Sequence, residues 1–141
     1  MPEPGRVLGL DLGEVRIGLA ISDPERRIAV PLRTIRAGSP RDVDAIAQLV
    51  RELDVGLVVV GHPLRMSGEA GAHAERAEAF AETLRASLGV PVVLHDERLS
   101  TVEAERALRA AGAKPSRRRR AVDRSAAAVI LQSYLDGLRR S

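Results

Sequence analysis

Residues 7–23 constrain the fold of this chain more than any other stretch of its sequence. Residues 7–12 form a near-continuous apolar run, which is typical of a strand in a sheet covered on both faces. A turn at 13–14 leads into a second apolar run at 16–22. Asp11 places a charge inside the first strand, which is costly unless the charge is paired or coordinates a metal. We therefore expect either a structural acid with a buried partner or a functional site at this position.

The rest of the sequence predicts an α/β fold in one domain of 141 residues. A third strand at 28–35 completes an antiparallel meander, and alternating helices and strands follow. The order predicts a five-stranded sheet of mixed direction, with two parallel strands after the meander and helices on both faces. The later strands are expected at 55–61 and 90–94, and the helices at 39–54, 71–88, 100–111 and 121–138.

Two details of the helices are predicted as well. Ser39 is a good N-cap for the first helix, with Pro40 in its first turn. The buried side of the last helix is expected to contain the residues Val122, Ala126, Val129, Ile130 and Ser133.

Composition excludes several classes of protein. Phe80 and Tyr134 are the only aromatic residues, which argues against a surface on which single-stranded bases stack. The absence of cysteine excludes a disulfide scaffold and a thiolate metal site, and it fits a reducing cytoplasm. No signal peptide and no apolar run of membrane length is visible. We therefore expect a cytoplasmic protein that does not bind membranes.

Basic charge is concentrated at the C-terminal end of the chain. Residues 101–141 carry nine arginines and Lys114 against four acids, a net charge of +6, whereas residues 1–100 carry a net charge of −3. Such a basic region is typical of a protein that binds a polyanion, although a solvated loop is the alternative. The residues expected to contact phosphates there are Lys114, Arg117, Arg118, Arg119 and Arg120.

Three acids occupy positions where strands and helices begin or end. Strands one, four and five, if parallel, bring Asp11 and Glu97 to one edge of the sheet, and Asp123 lies in the first turn of the last helix. Clustered carboxylates are the ligands that Mg²⁺ and Mn²⁺ prefer, and a pair of such ions cleaves phosphodiesters. The alternatives are structural: Asp123 complements a helix dipole, and Glu97 pairs with Arg98 or Arg16.

Other residues leave two interpretations open. Arg16 is expected to bind a phosphate or to orient Asp11, with a surface ion pair as the alternative. Asp96 is either an auxiliary metal ligand or a solvent-facing acid. His62 and His95 are candidates for moving protons, but isolated histidines are often structural.

Three glycines are predicted to have a conformational or packing role. Gly9, Gly13 and Gly61 are predicted to allow a turn or a close approach of the backbone. A phosphate-binding loop is the alternative, although no complete phosphate-loop motif is present.

Four blocks of the sequence resemble the YqgF/RuvX family of the RNase H-like superfamily. They are residues 9–23, 60–63 with Gly68, 96–101 and 123–132, in order along almost the whole chain. The resemblance implies a single RNase H-like nuclease domain at 1–141 that depends on Mg²⁺ or Mn²⁺. It also implies that the catalytic and metal-binding acids are Asp11, Glu97 and Asp123. Two positions depart from the family pattern, with His62 in place of Leu and Ser100 in place of Thr.

The resemblance favours an endonuclease that acts on structured nucleic acid and processes the 5′ end of pre-16S rRNA in ribosome biogenesis. The alternative is a Holliday junction resolvase acting in DNA recombination and repair, for which a homodimer is expected because two strands are cut symmetrically. A non-catalytic RNA-binding assembly factor is a further alternative. An ATPase of the sugar-kinase type would need a second domain, for which a chain of 141 residues has no room.

Overall fold

The computed structural model describes residues 5–38, 41–99 and 125–140 of the chain. The strands are β1 (Arg6–Leu12), β2 (Arg16–Ser22), β3 (Ala29–Arg36), β4 (Val55–His62) and β5 (Val92–Asp96), and the helices are α1 (Asp42–Glu52), α2 (Ala72–Ser87) and α3 (Ala126–Arg140). A short 3₁₀ turn, Glu97–Leu99, follows β5.

The five strands form one sheet in the order β3-β2-β1-β4-β5. The pairs β1–β2 and β2–β3 are antiparallel, whereas β1–β4 and β4–β5 are parallel. The predicted combination of a three-stranded meander with two parallel strands is therefore confirmed. The parallel strands β1, β4 and β5 end at the same edge of the sheet, which is where sites form in open α/β folds.

Helices cover both faces of the sheet, as the sequence predicts. One face packs against α1 and α2 through large aliphatic side chains, and we call it the aliphatic face. Its fully buried residues include Leu8, Leu10, Ile17, Leu19, Ile46, Val58, Val60 and Leu84. The opposite face packs against α3, and we call it the α3 face. Its buried residues are Val7, Ala20, Leu57, Val59, Ala127, Ala128, Ile130, Leu131 and Leu135.

Several predicted boundaries shift slightly. The third strand runs one residue later than predicted, and β4 continues to His62. Helix α1 begins at Asp42, and its N-cap residue, Arg41, does not cap the helix with its side chain. Ser39 and Pro40 lie outside the described residues. So do the helix predicted at 100–111, the basic loop and residues 121–124 of the last predicted helix.

The predicted buried side of the last helix is partly wrong. Ile130 is fully buried, but Ala126, Val129 and Ser133 are only half-buried, and Val122 lies outside the described residues. The buried positions are Ala127, Ala128, Ile130, Leu131 and Leu135. Every position from 126 to 131 is apolar, so helical periodicity does not determine which side of this helix faces the sheet.

Within the described ranges, no helix combines the length and apolarity that a membrane crossing requires.

Candidate functional site

A row of five residues crosses the sheet at the level of Asp11. Asp11 pairs with Gly18 on β2, and Gly18 pairs with Thr34 on β3. On the other side, Gly61 on β4 pairs with His95 on β5. The parallel register between β1 and β4, continued by one residue, places Asp11 beside Gly61. Asp11 is therefore flanked by two residues that have no side chain, which leaves space around its carboxylate.

The carboxylate of Glu97 lies over the strand next to Asp11. Glu97 is the first residue after β5, and a Cβ atom built on Gly61 would lie 3.0 Å from its Oε2 atom. Any side chain at position 61 would therefore compete with the carboxylate for the same space. Gly61 faces α3 and lies beside Asp11 on the neighbouring strand, about 4.8 Å away. The carboxylates of Asp11 and Glu97 therefore lie at the same edge and on the same face of the sheet.

Helix α3 begins over this row of residues. A Cβ atom on Gly18 would lie 3.6 Å from the Cβ of Ala127, and a Cβ on Gly61 would lie 2.7 Å from Cδ1 of Ile130. The first described turn of α3 thus covers the strands that carry the acids. Asp123, the third acid expected from the sequence, lies outside the described residues.

The chemistry of these two side chains fits a hard divalent cation. Asp11 and Glu97 supply carboxylate oxygens, which Mg²⁺ and Mn²⁺ prefer over nitrogen or sulfur ligands. Among the described residues, no group of three or more acidic, histidine or cysteine side chains could hold a metal ion. In that part of the chain, the candidate centre therefore consists of this pair.

Hydrogen bonds from α3 fix the turn that carries Glu97. The hydroxyl of Ser133 donates to the carbonyl oxygen of Leu99 at 2.9 Å, and it lies 2.9 Å from Nε2 of His95. Because the hydroxyl has one proton, Nε2 of His95 must donate to it. The imidazole also meets the ring of Tyr134 edge-on at 5.7 Å. Burial lowers the pKa of His95, so the histidine is a neutral link between β5 and α3.

Arg98 binds Asp96 and thereby anchors the other end of this turn. Its Nε and Nη2 atoms donate to the Asp96 carboxylate at 2.7–3.0 Å, and its Nη1 atom donates to the carbonyl of Met66. These hydrogen bonds lower the pKa of Asp96. Arg98, one of the partners expected for Glu97, is thus engaged by the neighbouring acid.

His62 faces away from the pair of carboxylates. Its Nε2 atom lies 2.7 Å from Oε2 of Glu78 on α2. Side chains alternate along a strand, and Gly61 faces α3, so His62 belongs to the aliphatic face. The histidine that replaces the more usual leucine therefore links β4 to α2.

The glycine predictions hold where the structure tests them. Gly13 occupies the turn and donates to the carbonyl of Arg16 at 2.9 Å, while Gly9 and Gly61 allow α3 to approach the sheet. The sequence interpretation missed Gly18 and Ser133. A glycine inside a strand is a usable signal for Gly18, because it marks a close approach or a site.

Arg16 is exposed at the start of β2 on the same face as Asp11. The other residues predicted to bind nucleic acid, Lys114, Arg117, Arg118, Arg119 and Arg120, lie outside the described residues.

Comparisons with known proteins identify the family of this chain. The RuvX family, described as Holliday junction resolvase, matches residues 5–137. A Chloroflexus aurantiacus protein named "Putative pre-16S rRNA nuclease" is 51% identical over 134 residues, which cover 94% of this chain and 88% of that protein. A protein of the same name from Anaeromyxobacter sp. strain Fw109-5 is 53% identical over 133 residues, with 94% and 97% covered.

A solved structure shows that the fold is shared more widely. T. thermophilus RuvC, in complex with a Holliday junction substrate, superposes with a TM-score of 0.53 at 16% identity over 96% of both chains. This likeness concerns the fold alone. The family match extends over nearly the whole chain, and the two curated relatives share about half of its residues. We conclude that this chain belongs to the RuvX family of nucleases.

Proposed function

We propose that this protein is a divalent-metal-dependent endonuclease that hydrolyses phosphodiester bonds in structured nucleic acid. The observation that carries the proposal is the convergence of Asp11 and Glu97 at one edge of the sheet, in space left open by Gly61. Two carboxylates at one edge of the sheet supply the oxygen ligands that Mg²⁺ and Mn²⁺ prefer, and a shared cation would offset the repulsion between their charges.

Each acid has a distinct role in this proposal. Asp11 and Asp123 would hold Mg²⁺ or Mn²⁺, and Glu97 would share the cation and orient the attacking water. The bound cation would stabilise charge on the phosphate and lower the pKa of that water. The hydrogen bond from Ser133 to Leu99 holds the turn, so Glu97 is positioned before substrate binds.

The favoured substrate is the 5′ end of pre-16S rRNA, a step of ribosome biogenesis in the cytoplasm. Two curated relatives that are about half identical to this chain carry that substrate in their names. A four-way DNA junction is the second candidate, supported by the family description and by the fold shared with RuvC. A resolvase acting on such a junction would work as a homodimer.

Basic residues would hold the substrate. In this proposal Arg16 and the C-terminal basic loop, which contains Lys114, Arg117, Arg118, Arg119 and Arg120, contact phosphates and give no base specificity. The affinity for nucleic acid should therefore decrease steeply as the salt concentration rises.

Cleavage of both substrates by one protein preparation tests the proposal. An rRNA precursor and a four-way DNA junction are incubated with Mg²⁺ or Mn²⁺ and with wild type, Asp11→Asn, Glu97→Gln or Glu78→Gln. Losing either site carboxylate should reduce the rate by at least roughly 100-fold while binding persists. Glu78→Gln is the matched control, because its carboxylate lies on the aliphatic face against His62.

The outcomes separate the alternatives. Cleavage of the precursor alone favours rRNA processing, and cleavage of the junction alone favours recombination. Tight binding without cleavage by the wild type would support a non-catalytic assembly factor. Cleavage by Asp11→Asn at the wild-type rate would refute the assignment of the site.

A further inference from the structure

An open cavity of about 370 Å³ lies where β2 begins and β3 ends. Its lining consists of Val15, Arg16, Thr34, Ile35 and Arg36. Arg16 and Arg36 are directly opposite each other in the antiparallel ladder, and both are exposed. Like charges in this arrangement repel each other and destabilise the sheet. A bound anion would relieve this repulsion.

No carboxylate of the described residues neutralises this pair. The ion pairs in that part of the chain involve other arginines, such as Arg27, Arg85 and Arg98. In the nearby acid Glu14, the Oε1 atom lies 3.9 Å from Nε2 of His73 on α2. Two adjacent guanidinium groups in a cavity are well suited to bind an anion, because each presents a planar fork of N–H donors.

Three of the lining residues, Arg16, Thr34 and Arg36, belong to the same face of the sheet as Asp11. Asp11, Gly18 and Thr34 form one row across β1, β2 and β3, and the Arg16–Arg36 pair lies two residues further along the strands. Standard strand geometry places the Cα of Arg16 roughly 8 Å, and that of Arg36 roughly 12 Å, from the Cα of Asp11. The side chains of Arg16 and Arg36 are therefore long enough to contact phosphates that neighbour a phosphodiester bound at Asp11.

The backbone around the cavity is fixed by hydrogen bonds. Gly13 donates to the carbonyl of Arg16 at 2.9 Å, and Ala37 donates to the carbonyl of Val15 at 2.8 Å. These bonds join the β1–β2 turn to the end of β3. The two arginines are thus presented from a rigid part of the sheet rather than from a loop.

We propose that this cavity binds the phosphate backbone of the nucleic-acid strand whose cleavage site lies at Asp11. Arg16 and Arg36 donate to the phosphate oxygens, and the hydroxyl of Thr34 provides a further donor beside them. The open shape and the glycine at position 18, between Thr34 and Asp11, favour a continuous strand over a small phosphate compound. The identity of the ligand as nucleic acid rests on the proposed function.

Salt-dependent binding tests the proposal. Binding of the four-way junction and of the rRNA precursor is measured between about 50 and 200 mM salt with Asp11→Asn, which prevents cleavage. Adding Arg36→Gln should weaken binding several-fold and make the log–log salt slope shallower by about 1, and Arg16→Gln with Arg36→Gln by about 2. Arg33→Gln is the matched control, because Arg33 lies on the same strand opposite Leu19 of the aliphatic face.

Thermal unfolding shows whether a binding defect of Arg36→Gln comes from misfolding. Arg36→Gln removes one of two repelling charges, so its thermal unfolding midpoint should equal or exceed that of the parent protein. Arg36→Lys keeps the charge and should preserve the salt slope while losing part of the affinity. Equal effects of Arg36→Gln and Arg33→Gln would overturn the proposal, as would a parent protein that binds neither nucleic acid.

The proposal and the nuclease assignment fail in distinguishable ways. A wild type that cleaves neither substrate, combined with a shallower slope for Arg36→Gln, would refute the nuclease and support the phosphate site. A wild type that cleaves normally, combined with an unchanged slope for Arg36→Gln, would refute the phosphate site alone.

Discussion

The two faces of the sheet are packed in opposite ways. The aliphatic face meets α1 and α2 through fully buried leucine, isoleucine and valine side chains, such as Leu8, Leu10 and Val60. The α3 face instead has glycines where the helix crosses it. At Gly9 a Cβ atom would lie 2.8 Å from the Cβ of Leu131, which is too close for any real contact.

The difference shows how one sheet combines stability with chemistry. Large side chains on the aliphatic face bury much apolar surface, which is the main source of stability. Glycines on the α3 face bury little surface, but they bring α3 close to the sheet and leave space for the carboxylates of Asp11 and Glu97. We therefore expect substitutions on the α3 face to separate effects on stability from effects on activity.

Gly9→Ala should have the largest effect on stability among these substitutions. The new Cβ would press on the Cβ of Leu131, which cannot move without the backbone of α3. Overpacking of this kind costs about 1–3 kcal/mol of unfolding free energy, measurable by urea denaturation. Gly137→Ala in α3 is the control, because nothing lies within 4 Å of the added Cβ atom, and it should stabilise the protein by about 0.5–1 kcal/mol. Equal stability of the two variants would contradict the close approach of α3.

Gly61→Ala should affect the site more than the fold. The atoms in its way, Cδ1 of Ile130 at 2.7 Å and Oε2 of Glu97 at 3.0 Å, are the ends of side chains that can turn aside. The loss of stability should therefore be smaller than for Gly9→Ala, whereas metal affinity and cleavage should decrease roughly 10–100-fold. Parallel measurement of unfolding, Mn²⁺ affinity and cleavage checks this. If Gly61→Ala is less stable than Gly9→Ala but cleaves at the wild-type rate, this prediction is wrong.

Ser133→Ala should have the smallest effect of the three. It removes the hydrogen bond to Leu99 and the partner of His95, at a cost of about 0.5–1.5 kcal/mol. As a positioning residue, Ser133 should influence kcat more than KM, because it orders Glu97 without touching substrate. Thr83→Ala is the control, since its hydroxyl bonds only to the carbonyl of Ala79 within α2. Identical kcat values for the two variants would show that Ser133 does not position Glu97.

Much of the fold could be predicted because the strands are short apolar runs and the first helices have clear periodicity. Asp11 is recognisable as a charge inside such a run, and the shared edge of the parallel strands predicts that Glu97 lies nearby. Both inferences depend on local pattern and on general rules of sheet topology.

The remaining features depend on contacts that local pattern does not determine. A β-bulge between Leu19 and Ala20 shifts the β2–β3 register by one residue, and this shift decides that Thr34 and Arg36, rather than Arg33, share the face of Asp11. The side of α3 that is buried depends likewise on which positions of the sheet are glycines, because the helix sequence itself is almost uniformly apolar there.

The central claim is that Asp11 and Glu97 share one divalent cation. Calorimetric titration of Mn²⁺ into the wild type, Asp11→Asn, Glu97→Gln and Glu78→Gln tests it most directly. We expect each of the two site variants to lose most of the Mn²⁺ affinity, at least roughly 10-fold, whereas Glu78→Gln should bind Mn²⁺ like the wild type. Undiminished Mn²⁺ binding by both Asp11→Asn and Glu97→Gln would contradict it.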